Sequence, residues 1–179
     1  MTSSRISRRE LKILDWIYEH TRCRTCDRVM TALSITGNFG LIWLAIAAAF
    51  YFANANQAAL CILFALGCSL LIVNLFLKHI VRRPRPYEAR GEERDILIRK
   101  PKDFSFPSGH TFSSFAAATT IAHFTPKLGI VVLIYAAGIA FSRLYLYVHY
   151  LTDVLTSAVF GVSIGMLISY LYSSGIIAL

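Results

Sequence analysis

Apolar residues fill this chain in long blocks, separated by short polar stretches that hold nearly all of the charge. A helix needs roughly 20 apolar residues to cross a bilayer core. Residues 33–53 and 57–77 approach that length without a charge, and 128–148 approaches it with one, Arg143, near its end. Residues 154–172 are uncharged and of similar length, whereas 111–124 is shorter and filled by Ser, Thr and Ala. Small side chains let helices approach closely in a bilayer, so this shorter piece reads as an inner helix rather than a lipid-facing one. The pattern predicts an all-α fold, an integral membrane helical bundle of about five transmembrane helices over residues 31–179. Residues 1–30 alternate instead, with Ile6, Leu11, Ile13, Leu14, Trp16, Ile17 and Tyr18 set among Arg, Lys and Glu. They predict an amphipathic helix lying in the membrane interface, anchored by Trp16 and Tyr18; the alternative is a solvated charged tail. The chain opens on polar and basic residues, so no secretory signal is expected.

Composition agrees. Of the 179 residues, 56% are hydrophobic and only 16% charged, against about a quarter charged in soluble domains. The net charge is +8, which raises nucleic acid as a partner. The basic residues flank apolar spans and no nucleic-acid module surrounds them, so the partner expected is the bilayer and not nucleic acid. Cys61 and Cys68 lie inside an apolar span and read as packing residues. Cys23 and Cys26 form a lone CxxC with no second pair and no βαβ pattern, which argues against zinc or redox chemistry.

Charge beside a membrane span is costly and therefore points to function. The first cluster is Lys78-His-Ile-Val-Arg-Arg-Pro-Arg-Pro86, where two prolines force the chain out of helix and hold Arg85 in a stiff extended segment. Arg82 and Arg83 read as a basic stop at the interface, touching headgroups. The second is Phe106-Pro107-Ser108-Gly109-His110-Thr111. Ser-Gly at a helix start leaves N–H groups free for an anion, with a histidine in the first turn to face it; a capped helix start with an interfacial histidine is the plainer reading. The third is Ser142-Arg143 followed by His149 and Asp153. On a continuous helix His149 and Asp153 share a face, and a carboxylate beside an imidazole fixes its tautomer and raises its basicity. Alternatively, the pair is a buried ion pair joining two helices.

Taken together, Lys78, Arg85, Arg143, two histidines and one carboxylate all fall near span ends, which share one side if the spans alternate direction. Three cations meeting at one point suit a multiply charged phosphate, and phosphoryl transfer needs positioning and charge stabilisation above all. No Asp/Glu cluster has metal-ligand spacing, so no metal or other cofactor is expected and the cations take the part of Mg²⁺.

These stretches resemble the K-x6-R-P, P-S-G-H and S-R-x5-H-x3-D motifs of the phosphatidic acid phosphatase type 2 superfamily, in the family order, over residues from about 30 to the end. The resemblance implies that His149 attacks phosphorus and becomes a phosphohistidine, that Asp153 orients it, and that His110 protonates the leaving oxygen and then assists water. It implies that Lys78, Arg85, Arg143, Ser108 and Gly109 hold the phosphate oxygens, beneath an active-site loop of residues 79–108. Tyr147 and Leu151 stand where glycine and proline are common in the family. Family members hydrolyse phosphatidic acid, phosphatidylglycerophosphate, undecaprenyl diphosphate and lipid A phosphates. The short chain with its interfacial helix looks most like the undecaprenyl-diphosphatase branch, so a polyprenyl pyrophosphate or a phospholipid is the expected substrate. Other classes stay open: a phosphotransferase to another lipid or sugar, and a non-enzymatic binder of anionic lipid, which leaves both histidines unexplained. The positive-inside rule puts the basic side in the cytoplasm. The resemblance implies the outer face of the cell membrane, and the outer face is the expectation here, the loop's charge being diluted by Glu88, Glu92, Glu93 and Asp95.

Overall fold

The computed structural model describes residues 5–90 and 96–177, and it is helical throughout that range apart from connecting loops. Glu92, Glu93 and Asp95 lie outside the described residues, as do the side chains of Arg5 and Ile6. Helix α1 (Arg5–Thr21) leads into α2 (Arg24–Thr36), a 3₁₀ turn at Asn38–Gly40 and α3 (Leu41–Phe52). Helix α4 (Asn56–Leu70) continues through a π-helical stretch, Leu71–Leu77, into α5 (Lys78–Val81). After the short α6 (Pro86–Arg90) come α7 (Gly109–Phe124), α8 (Pro126–Tyr145) and α9 (Leu151–Ser173).

Three helical stretches are long and apolar enough to cross a membrane: Asn56–Arg90, Pro126–Tyr145 and Leu151–Ser173. A fourth crossing arises if α2 and α3 are one broken span, since Arg24–Thr36 and Asn38–Phe52 meet at 55°. The uniform apolar run over 33–53 therefore does not form one straight helix. Gly37 and the left-handed Phe39 and Gly40 break it, at φ of 53° and 69° for the last two. At 16 residues, α7 is the short inner helix. It packs against α4, α8 and α9, and its Ala116, Ala117, Ala118 and Ile121 are fully buried.

Small residues make this centre possible. A Cβ on Gly161 of α9 would sit 2.5 Å from the Phe112 carbonyl, and one on Gly165 would sit 2.7 Å from that of Ala116. Any side chain there would push α9 off α7, and close backbone approach is the main source of helix association where lipid tails are as apolar as the helices. Trp43 of α3 is buried against the same layer, its Nε1 donating to Ser114 Oγ at 2.9 Å.

The helices alternate in direction, so the end of α5, the start of α7, the end of α8 and the start of α9 share one end of the bundle. Helix α1 lies across that end. Its Leu11, Leu14 and Ile17 are buried against residues 144–148, Tyr150 and Val154, while Ile13 and Trp16 remain exposed on its other face.

Candidate active site

The segment after α5 leaves helix at Arg82, which adopts the left-handed conformation (φ 46°). Residues 83–85 then run outside helix until α6 begins at Pro86, and Arg85 is buried, only 2% exposed. Its guanidinium is held on every side. Nη1 donates to the Val148 carbonyl at 2.8 Å and faces His149 Nε2 at 3.3 Å, while Nε donates to the Asp103 carbonyl at 2.8 Å and Nη2 to Asp103 Oδ1 at 2.5 Å. Lys78 pairs through Nζ with the other oxygen of the same carboxylate, Asp103 Oδ2.

His149 lies in the turn between α8 and α9, 2% exposed, with its backbone N–H and that of Val148 both directed to the Arg143 carbonyl. Its Nδ1 is 2.7 Å from the Ser105 carbonyl. A carbonyl only accepts, so Nδ1 carries the proton and Nε2 keeps its lone pair, turned toward Arg85. Burial pushes the His149 pKa well below the usual imidazole range, and the positive charges of Arg85 and Arg143 push it the same way. The neutral ring is thus the resting form.

Asp153 does not share a continuous helix face with His149, because α9 starts at Leu151 with Tyr150 as its N-cap. The carboxylate and imidazole are 3.7 Å apart. Asp153 Oδ2 instead accepts from the Tyr150 N–H at 2.9 Å and from the Ser105 hydroxyl. The same Ser105 grips His149 through its carbonyl, so the acid reaches the imidazole through one intervening residue.

Arg143 enters from α8, 2% exposed, with Nη1 on the hydroxyl of Ser34 in α2. Its Nε is buried with no hydrogen-bond partner among the described residues. A buried guanidinium N–H is costly to leave unmatched. At the start of α7, Ser108 is buried, its N–H donating to Ser157 Oγ at 2.8 Å and its hydroxyl paired with Thr111 Oγ1 at 2.9 Å. Gly109 follows as the first helical residue. His110 Nε2 is 2.9 Å from Asn38 Oδ1, and a Cβ on Gly37 would come within 2.9 Å of its ring. The break in the first span therefore serves the site: it makes room for His110 and brings an amide to it.

Lys78, Gly109 and His110 line one end of a cleft of about 600 Å³. Its other walls are apolar, from Phe39 and Leu44 on one side and Leu63, Leu66 and Leu70 of α4 on the other. Phe39, Leu44, Leu63 and Leu70 are exposed on the outer surface of the bundle, so the cleft is open sideways.

Five positions around this site, Arg83, Glu10, Ser105, Asp103 and Asn38, were not anticipated as part of it. Arg83 is not an interfacial stop. Its Nη1 donates to Asp153 Oδ1 at 2.5 Å and to Thr152 Oγ1 at 2.8 Å, Nη2 pairs with Glu10 at 2.5 Å, and the guanidinium lies 3.8 Å over the Tyr150 ring. Glu10, from α1, also accepts from the Thr152 N–H at 2.7 Å. Arg82 stays outward and exposed, its Nε on the His79 carbonyl. Ser105 and Asp103 carry no motif of their own. Asn38 had one visible signal, a Gly-Asn pair interrupting an apolar run. Among the described residues, no three His, Cys, Asp or Glu side chains gather as a metal-binding group.

Residues 58–175 match the family model of the PAP2 superfamily. The chain belongs to that superfamily. The match takes in nearly all of α4, its extension through α5 to Arg85, and the whole stretch from α7 to the end of α9, and so covers every motif residue above. Among curated PAP2-type relatives, undecaprenyl-diphosphatase BcrC of Bacillus subtilis is 33% identical over 101 residues, 56% of this chain and 51% of the relative. Phosphatidylglycerophosphatase B of the same organism is 30% identical over 159 residues, covering 81% of this chain and 72% of the relative. The chain thus spans about half the length of the first and nearly three quarters of the second. The PAP2 fold is shared with a crystal structure of a transmembrane PAP2-type phosphatidylglycerolphosphate phosphatase from Bacillus subtilis, at a TM-score of 0.77 and 24% identity over 96% of this chain and 88% of that one. This PAP2 protein is accordingly a multi-pass membrane protein.

Proposed function

We propose that the chain is a metal-independent membrane phosphatase that removes phosphate from a lipid phosphate or pyrophosphate through a phosphohistidine intermediate. The observation that carries this reading is the state of His149: buried, its Nδ1–H committed to Ser105 and its Nε2 lone pair left facing Arg85. Nε2 attacks phosphorus, and the P–N bond forms as the P–O bond to the lipid leaving group breaks. His110 passes a proton to the departing oxygen. Lys78, Arg85 and Arg143, with Ser108 and the Gly109 amide, hold the non-bridging oxygens and offset the charge that spreads over them. The unmatched Nε of Arg143 is assigned to one of those oxygens. Asp153 acts through Ser105, fixing the carbonyl that stabilises the Nδ1 proton as the ring becomes positive. Water then attacks the phosphoenzyme, His110 takes its proton, and the P–N bond opens to release phosphate.

The best substrate reading is undecaprenyl diphosphate, cleaved to undecaprenyl phosphate. It is supported by an apolar cleft open sideways, which lets a long chain stay in the bilayer while its head reaches the cations, and by the name of one relative. The longer match to a phosphatidylglycerophosphatase favours phosphatidylglycerophosphate as a second reading. Release to an acceptor other than water would use the same site. The site is assigned to the outer face of the cell membrane.

The test is phosphate release by purified protein in detergent and EDTA, from undecaprenyl diphosphate, phosphatidylglycerophosphate, phosphatidic acid and lipid A. Turnover should survive chelation and vanish in His149→Ala, with expression and membrane insertion unchanged. Full activity in that variant would sink the mechanism.

A further inference from the structure

Two of the cations assigned to phosphate are already engaged by one carboxylate. Asp103 bridges them, Oδ1 on Arg85 Nη2 at 2.5 Å and Oδ2 on Lys78 Nζ, as two oxygens of a phosphate would. It lines the cleft beside Gly109 and His110, and its side chain is 47% exposed, so it closes the cation pair from the cavity side without being sealed in. Arg85 does not depend on it for orientation, since Nη1 is independently held by the Val148 carbonyl at 2.8 Å. Burial raises the Asp103 pKa, but the hydrogen bond and charge of Lys78, and then Arg85, bring it down to about 2. The group is an anion at any working pH.

We propose that Asp103 is a specificity-determining residue: an internal carboxylate that occupies the Lys78–Arg85 pair and sets a minimum charge for the headgroup that can replace it. A phosphodiester carries one negative charge, the same as the tethered carboxylate, and gains no Coulombic advantage by taking its place. It must also compete with a group whose local concentration is fixed by its tether. A terminal phosphate or a diphosphate brings two or more charges, and attraction to the same cations grows in proportion. In a bilayer crowded with phosphodiester headgroups, this contact admits lipids ending in a phosphomonoester or diphosphate and turns the others away. The inference rests on the phosphatase reading for its biological sense. Its test is a binding measurement, which stands whether or not turnover is seen.

The experiment is calorimetric titration of the purified protein with inorganic phosphate and with dimethyl phosphate, at pH 8. In the native chain phosphate should bind at least tenfold tighter. Asp103→Asn should shrink that ratio at least tenfold, chiefly by tightening dimethyl phosphate, and Asp103→Glu should restore it. In turnover assays, dioctanoyl phosphatidylglycerol should become a stronger competitive inhibitor of the Asn variant by a similar factor. An unchanged ratio, or weaker binding of both anions in Asp103→Asn, would overturn the proposal and leave Asp103 as a support for Arg85. If neither variant folds, equal affinity of the native chain for the two anions overturns it as well. Absence of phosphate release by the native chain, with the binding ratios as expected, would count against the phosphatase reading alone.

Discussion

Tyr147 holds a left-handed backbone, φ 59°, two residues before His149. A non-glycine residue there costs about 1–2 kcal/mol, which gives a physical reason for the glycine that the family resemblance led one to expect. This chain meets the cost by other means. The tyrosine is fully buried, its ring packs edge-on to Tyr18, and its hydroxyl donates to Asp15 at 2.7 Å. Tyr147→Gly should relieve the backbone yet lower stability by about 2 kcal/mol, since losing a buried aromatic costs about 3–5 kcal/mol; thermal unfolding in detergent measures it. Leu151 is the reverse case. It is the first residue of α9 and follows a Tyr150 that is already extended, φ −79° and ψ 162°. Proline suits both conditions, so Leu151→Pro should shift stability by less than about 0.5 kcal/mol. As the proposed nucleophile, His149 should set the acid limb of kcat/KM. Protonation on Nε2 removes the nucleophile, and a pKa lowered by burial and by Arg85 and Arg143 moves that loss to lower pH. The limb should lie below the ordinary imidazole value of about 6.5; a limb above it would contradict the environment described.

At the scale of elements, α1 is tied to the site by more than apolar contact. Glu10 accepts from the backbone at the start of α9 and pairs with Arg83, which in turn pairs with Asp153. Asp15 receives the Tyr147 hydroxyl and pairs with Arg90 at 3.1 Å. Two acids on one helix thus brace the turn that carries His149 from both ends. Glu10→Gln keeps an acceptor for Thr152 but removes the charge opposite Arg83. It should lower kcat by up to about a hundredfold through a small displacement of Asp153, with KM little changed, because the cations on the phosphate side are untouched. A change confined to KM would show that α1 acts on substrate binding instead.

At the scale of the whole molecule, Lys127 is, among the described Lys and Arg residues, the one at the far end of the bundle; the others lie at or near the site end. The charge asymmetry alone favours a cytoplasmic site. The proposed outer-face site rests on the family resemblance, and cations held for phosphate weaken the charge argument against it. Lys102 is exposed beside the cleft. In a chain whose Cys23 and Cys26 are replaced by Ser, Lys102→Cys should react with a membrane-impermeant maleimide added to intact cells. Labelling only after lysis would place the site inside.

The sequence by itself determined the membrane bundle, the inner small-residue helix and the set of motif residues. Those follow from hydropathy over about twenty residues, from side-chain size, and from charge where charge is costly, all of which are local properties of the chain. Tertiary structure decided what those residues touch. A Gly-Asn pair interrupts the apolar run of 33–53, but what the break does, making room for His110, exists only once α7 packs beside it. The spacing of His149 and Asp153 suggested a shared helix face, but the helix starts two residues too late, and Ser105 joins them from a loop over 40 positions away. The partners of Glu10, Arg83 and Asp103 lie from 18 to 142 positions off in the chain. Pairings across such distances are set by how helices pack, and no local pattern records them.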